Sequence, residues 1–226
     1  MSEPGYDDAL RVLCGDAGVD LHRVLTAACE PLPAWDPVVY LADFAFQVLF
    51  PLAADHAQQD VAGTMAGRAF TTGEPVTSPR DGSVRVWVPV VEQTTRTGVL
   101  AVTVPDASAQ VLARVESLGV FAGLVVASAV RVSDVPYVRR RGRAMSLPAD
   151  MQWDLLPPLS ARTPGALIAG VLEPAYDIAG DAFDYAVNGA DLHFAIDPTF
   201  FFGSALIVAS LLIFSLKSWR QTPRHS

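Results

Sequence analysis

Two periods of apolar residues alternate along the chain. At a helical spacing, Leu21, Val24, Leu25 and Ala28 fall at i, i+3, i+4 and i+7, with Asp20 placed to cap their first turn. Pro31 and Pro33 stop that helix. A shorter helix over 7–14, with Ala9, Leu10 and Leu13 on one side, precedes it. The run Val38, Val39, Tyr40, Leu41, Ala42 predicts a strand, 46–51 a second, and 43–45 the turn between them. Met65, Ala66, Ala69 and Phe70 predict a short helix over 64–70, with Gly73 in a stop position. Residues 84–91 alternate as a strand around Arg85, Trp87 and Pro89, and 98–104 read as another. A long helix follows over 106–133. Its residues Val111, Val115, Leu118, Ala122, Val125 and Ala129 make a 4, 3, 4, 3, 4 seam, widened by Leu112, Gly119 and Val126. Such a seam packs either on the protein's own sheet or, through the helix's outer stripe, on a second copy. The order helix, strand, strand, helix, strand, strand, long helix is an α+β sheet with helices on one side.

Beyond the long helix the pattern changes. Residues 134–148 hold Pro136, Pro148 and Arg139, Arg140, Arg141 and Arg143, the features of a basic boundary or a solvated helix face. A short amphipathic helix over 151–156 ends at Pro157-Pro158. Phe183, Tyr185 and Val187 alternate on a strand, Asn188-Gly189 signals a two-residue hairpin, and 191–196 form the returning strand. Residues 200–216 carry no charge, and Lys217, Arg220 and Arg224 follow. Seventeen residues at about 1.5 Å each span roughly 25 Å, the short end of what crosses a bilayer. A membrane-anchoring helix is the expectation, with a buried core helix or an exposed tail as alternatives. The basic flank would place the C-terminus in the cytoplasm.

Composition narrows the classes. The chain has 226 residues, 51% of them hydrophobic, enough for a core, and a net charge of −8. The acidic balance argues against a nucleic-acid partner. Cys14 and Cys29 are too few for a disulfide framework or a zinc site and read as small packed residues. The first residues carry no basic and apolar signal pattern, so a cytoplasmic location is expected, with membrane association through 200–216.

Candidate chemistry concentrates in 173–197, where Glu173, Asp177, Asp181, Asp184, Asp191 and Asp197 lie among apolar residues. The antiparallel hairpin puts Asp181, just before one strand, and Asp197, just after the other, at the same end. Converging carboxylates call for cations, and oxygen ligands suit the hard ions Mg²⁺ and Mn²⁺. Asp184 reads as structural and His193 as an ordinary strand side chain. His22, His56 and His225 suggest no triad. Neither a G-x-S-x-G signature nor a Gly-rich phosphate loop is present, and no catalytic residue is assigned.

The residues GDAFDY around Asp181 resemble the G-G-D-x-[YFW]-D element of bacterial sporulation stage II E-type serine phosphatases, within the protein phosphatase 2C superfamily. Gln152, Leu155, Leu156 and Pro157 are similar to that family's Q-x-x-L-L-P segment, and Glu173-Pro174-Ala175 fits too. The resemblance implies that Asp181 and Asp197 are metal ligands and that 151–156 is a switch-like helix. It also implies a D-[AG]-x-G-H-G motif at Asp197, where this chain reads DPTFFFGSAL. Further metal aspartates would lie in a longer continuation than the 29 residues after Asp197. A truncation, insertion or frameshift and an inactive catalytic remnant are therefore expected.

Residues 63–76, GTMAGRAFTTGEPV, resemble the G-x-[AV]-G-x-[AV]-[FY]-x-[ST]-G-[EQ]-P-V motif of GAF sensor domains, and GVLAVTV over 98–104 resembles a strand of that fold. The resemblance implies a GAF-like antiparallel sheet with helices. It also implies a ligand pocket lined by Tyr40, Phe46, Arg68, Phe70 and Trp87, or those aromatic residues as plain core. No cysteine is placed for a bilin and no histidine stands out for haem, so the cofactor is unknown. Together the readings give a GAF-like domain over 8–132, a basic linker and switch-like helix over 133–158, a truncated phosphatase 2C-like segment over 159–197 and a hydrophobic tail over 198–226. The expected function is a signalling regulator acting as a homodimer through 106–133 or on an anti-sigma or anti-anti-sigma protein. The alternative is a Mn²⁺- or Mg²⁺-dependent phosphatase acting on a phosphorylated sigma-factor regulator.

Overall fold

Six strands form one antiparallel sheet, and its two central strands explain its layering. The computed structural model describes residues 21–30, 32–53, 55–92, 94–163, 167–177, 183–188 and 191–195. Helix α1 (Leu21–Cys29) leads into β1 (Trp35–Ala42), β2 (Val48–Pro51) and β3 (Gln59–Asp60). Helix α2 (Met65–Thr72) is followed by β4 (Val76–Arg80), β5 (Ser83–Glu92), β6 (Thr95–Val104) and helix α3 (Ala109–Val130). The sheet order is β3-β2-β1-β6-β5-β4. The helix expected over 7–14 lies outside the described residues.

Strands β1 and β6 are apolar on both faces, so both faces have to be covered. Val39, Leu41, Leu100, Val102 and Val104 pack with Val86, Val88 and Val90 of β5 under α1 and α3. Val38, Tyr40, Val99 and Ala101 pack under Ala66, Ala69 and Phe70 of α2. The expectation of helices on one side is thus corrected: α2 lies opposite α1 and α3. A second departure is β4, whose VTSPR sequence hides a strand behind Pro79. It sits at the sheet edge, where a missing amide proton and polar side chains are tolerated. Its pairing with β5 runs from Arg80↔Ser83 to Val76↔Trp87 and stops short of Pro89. Pro89 therefore costs no ladder bond on that side.

Thr64 caps α2, its hydroxyl accepting from the Gly67 amide at 2.9 Å. Gly73 ends the helix at φ 73°, a left-handed conformation that glycine adopts without a Cβ penalty. On α3 the seam residues Val115, Leu118, Ala122, Val125 and Ala129 are buried against the sheet. The seam therefore packs on the protein's own sheet. By length and composition alone, α3 is also the one helix among the described residues apolar enough to cross a membrane.

The chain then turns back along the sheet. Helices α4 (Val135–Arg140) and α5 (Leu147–Leu155) precede β7 (Ser160–Arg162), which pairs with β8 (Leu167–Ala169). The hairpin of β9 (Asp184–Asn188) and β10 (Asp191–Ala195) pairs Asn188 with Asp191 and Asp184 with Ala195. β7–β8 and β9–β10 are two separate two-stranded sheets. The C-terminal apolar segment lies outside the described residues.

Candidate functional site

Charge enters the α2 face of the sheet at Arg85. Alternation along β5 turns Val86 and Val88 toward α3 and leaves Arg85 and Trp87 on the α2 side. Arg85 is buried, and a buried guanidinium needs a full set of acceptors. Its Nη1 donates to the Asp36 carbonyl at 2.7 Å, the Asp36 carboxylate at 2.8 Å and Thr103 Oγ1 at 3.0 Å. Burial pulls the Arg85 guanidinium below its usual range, and the Asp36 charge opposes that pull. Asp36 turns at φ 55°, which brings its carbonyl and carboxylate to the same cation. His56 Nε2 lies 3.6 Å from the Asp36 carboxylate on its outer side.

Next to this cluster lie the aromatic residues expected to line a pocket. Tyr40 and Phe70 are buried, and Phe46 and Trp87 are packed against them at partial exposure. The rings of Phe46 and Phe70 meet edge to face at 5.6 Å. The Trp87 indole N–H is buried and meets no hydrogen-bond acceptor among the described residues. Arg68 is not part of the group: it is exposed on the outer side of α2. Sequence reasoning proposed the aromatic residues but missed Asp36 and Thr103, because a lone Asp-Pro and a strand threonine carry no local signature.

A second polar centre joins the sheet to the segment behind α3. Asp43 is buried in the β1–β2 turn. Its Oδ1 accepts from the amides of Gln47 at 2.7 Å and Val48 at 2.9 Å, and its Oδ2 from Ala45 at 3.3 Å. The same Oδ2 accepts the Tyr176 hydroxyl at 2.8 Å, and the Gly142 amide donates to that phenol oxygen at 3.2 Å. Arg140 Nε donates to the Ala42 carbonyl at 2.8 Å, and its guanidinium lies 4.6 Å over the Phe44 ring. Arg141 covers Tyr137 at 4.8 Å and Arg143 covers Tyr176 at 4.6 Å. Arg141 also pairs with Asp150, which accepts from Tyr137 as well. Trp153 donates to the Ala175 carbonyl at 2.7 Å and packs against Phe44, the rings tilted at 46° with centroids 4.9 Å apart. Three of the four arginines in the basic run thus lie on aromatic rings drawn from three parts of the chain. Burial, and the hydrogen bond to Asp43, push the Tyr176 phenol up to about 12.

Asp181 and Asp197, the expected metal ligands, lie outside the described residues. Among the described residues, no group of three or more His, Cys, Asp or Glu side chains is placed to hold a metal ion. Asp184 is exposed at the start of β9. Cys29 is buried in the core, where desolvation pushes its thiol up to about 12. It packs as a small apolar residue rather than acting as a nucleophile.

No protein-family profile matches the sequence, and no curated protein is similar to it. Among solved structures, the chain is similar to the GAF domain of an Acinetobacter phosphoenolpyruvate-protein phosphotransferase at 20% identity and a TM-score of 0.43, covering 58% of this chain and 98% of that one. It is similar to the GAF domain of the corresponding Coxiella burnetii protein at 14% identity and a TM-score of 0.44, over 56% and 93% of the two chains. It is similar to residues 122 to 287 of a methyl-accepting chemotaxis protein at 14% identity and a TM-score of 0.44, over 57% of this chain and 100% of that one.

Proposed function

We propose that the chain is a GAF-type signalling sensor, whose α2 face receives a small molecule and whose docked segment over 134–177 responds to it. The observation that carries this reading is the path of β1. Tyr40 stands in the aromatic cluster, and three residues later Asp43 holds Tyr176. A ligand that shifts β1 at Tyr40 changes the geometry offered to Tyr176, so a pocket event reaches the segment behind α3 through one short strand. The downstream part then acts as a truncated phosphatase 2C-like remnant. It works by binding a partner, an anti-sigma or anti-anti-sigma protein being the class the resemblance suggests, or by homodimerisation on the outer stripe of α3. Residues 200–216 supply a membrane contact in this reading.

Trypsin cleavage at Arg139–Arg143 tests the coupling. Phe70→Ala on the α2 face and Val102→Ala on the opposite face are compared at matched global stability. Faster cleavage in Phe70→Ala supports the reading, and equal rates overturn it.

The second reading is a Mn²⁺- or Mg²⁺-dependent protein phosphatase with Asp181 and Asp197 as ligands. Its support is the β9–β10 register, in which the chain enters and leaves the hairpin at one end. Its mechanism would be in-line attack of a metal-activated water on phosphorus. Turnover of para-nitrophenyl phosphate with Mn²⁺, abolished by Asp181→Asn, would establish it over the regulator.

A further inference from the structure

The sheet and the segment behind α3 meet at a cleft that the Asp43 junction does not use. It encloses about 150 Å³ between the C-terminus of α2, the β5–β6 turn and β7, and is lined by Arg96, Arg162, Ser160 and Thr94 among others. Arg96 comes from the sheet, whereas Ser160 and Arg162 come from the strand behind the docked helices. A backbone bond from the Arg162 amide to the Thr94 carbonyl at 2.9 Å holds β7 here.

Two features of the cleft lack their usual complement. The first is charge. Arg96 Nη1 is turned to the Phe70 and Thr71 carbonyls at the end of α2, which are neutral acceptors. Arg162 has Glu74 at 4.0 Å, a long pair between two exposed side chains. Burial, and then the nearby Arg162 charge, lower the Arg96 guanidinium from its usual range, as expected of two cations sharing one cleft. The second is an orphaned donor. The Ser160 hydroxyl is buried and has no hydrogen-bond partner among the described residues. A buried hydroxyl without a partner is destabilising, and a bound acceptor relieves that cost.

We infer that this cleft binds a phosphate-type oxyanion, gripped by Arg96 and Arg162 with the Ser160 hydroxyl as a third donor, and that the anion ties β7 to the sheet. Two cations and a hydroxyl drawn from two strands suit a tetrahedral anion with several free oxygens better than a single carboxylate. The site borders the apolar α2 face through Arg96, whose guanidinium lies 5.9 Å over the Phe70 ring. Its occupant sets how firmly the C-terminal half is held.

The test uses the full chain at constant ionic strength, with inorganic phosphate titrated against chloride as control. Phenyl phosphate in a parallel arm separates a free ion from a phosphoryl group on a larger molecule. The expected result is a saturable rise in melting temperature together with slowed amide exchange in Ser160–Arg162. Arg162→Gln, at an exposed side chain, weakens phosphate binding roughly tenfold, and Ser160→Ala weakens it severalfold. Arg96→Gln is the less informative variant, since Arg96 also holds the end of α2. A melting temperature that follows ionic strength alone overturns the site. So does phosphate binding that survives both Arg162→Gln and Ser160→Ala unchanged.

Discussion

Tyr176 donates its phenolic proton to the carboxylate of Asp43, 133 positions earlier in the chain, at 2.8 Å. The bond closes a long loop onto a carboxylate that already orders its own turn through three amides. Replacing Tyr176 with Phe keeps the ring under Arg143 but leaves Asp43 Oδ2 with only the 3.3 Å amide of Ala45. The expected loss is about 1–2 kcal/mol. It shows as a lower denaturation midpoint and faster trypsin cleavage at Arg139–Arg143. Unchanged cleavage would mean that the docked segment is held without this bond.

Alkaline pH acts on the same junction. Burial first, and then acceptance by Asp150 or Asp43, push the Tyr137 and Tyr176 phenols up to about 12. An ordinary tyrosine titrates near pH 10. Between about pH 10 and 12 the folded chain therefore holds protons that the unfolded chain has released, so stability falls as pH rises through that window. Below it the contribution is complete. Denaturation midpoints measured from pH 8 upward should drop more steeply for the wild type than for a Tyr137→Phe, Tyr176→Phe double variant. Parallel curves would contradict this.

How far the chain could be read in advance depended on how local each cause was. The run from Val38 to Ala42 and the alternation around Trp87 are written in neighbouring residues, and both strands form as expected. β4 escaped because its signal is edge position, which Val76 to Arg80 do not encode by themselves. The α3 seam was legible as a stripe but not as to its partner, since a sheet and a second helix call for the same apolar spacing. Asp43 looked like an ordinary turn residue. Its role depends on Tyr176 and Arg140, and nothing near it in sequence announces either. Asp181 and Asp197 were chosen on the hairpin that brings them to one end and on motif resemblance, and both fall outside the described residues.

Gly123 measures how closely α3 lies on β5. A methyl group there would sit 2.1 Å from the Val91 carbonyl oxygen, backbone that cannot rotate away. Alanine normally favours a helix over glycine by about 1 kcal/mol. Here the clash should outweigh that gain and leave a net destabilisation of about 2 kcal/mol. Ser117→Ala on the exposed side of the same helix is the control and should change stability by under about 0.5 kcal/mol. A Gly123→Ala protein as stable as the wild type would show that the helix and sheet are not in contact at this point.

Asp36 offers a way to separate charge from backbone strain. Its φ of 55° is one that asparagine also tolerates, so Asp36→Asn removes the charge facing Arg85 without forcing the turn. Arg85 keeps the Asp36 carbonyl and Thr103 but loses its counter-charge. The expected cost is roughly 1–2 kcal/mol, limited because the carboxylate is partly open to solvent. In an Arg85→Met background the same substitution should be nearly neutral. A full-sized cost in both backgrounds would place the contribution of Asp36 elsewhere than on Arg85.

The outer side of α3 decides between a single chain and a pair. Val120 and Leu124 are about half exposed, 50% and 55%, four residues apart on the face turned away from the sheet. Val125, on the covered face, is buried. If two copies meet through the outer stripe, Leu124→Asp breaks the pair by placing a desolvated charge in its centre, while the fold of each chain is kept. Sedimentation of the wild type should then give twice the chain mass, and Leu124→Asp the single mass with an unchanged circular dichroism spectrum. Val125→Asp should instead unfold the protein, because its side chain has no route to water. A wild type that sediments as a single chain at high concentration would remove the dimer and leave Val120 and Leu124 as isolated surface residues.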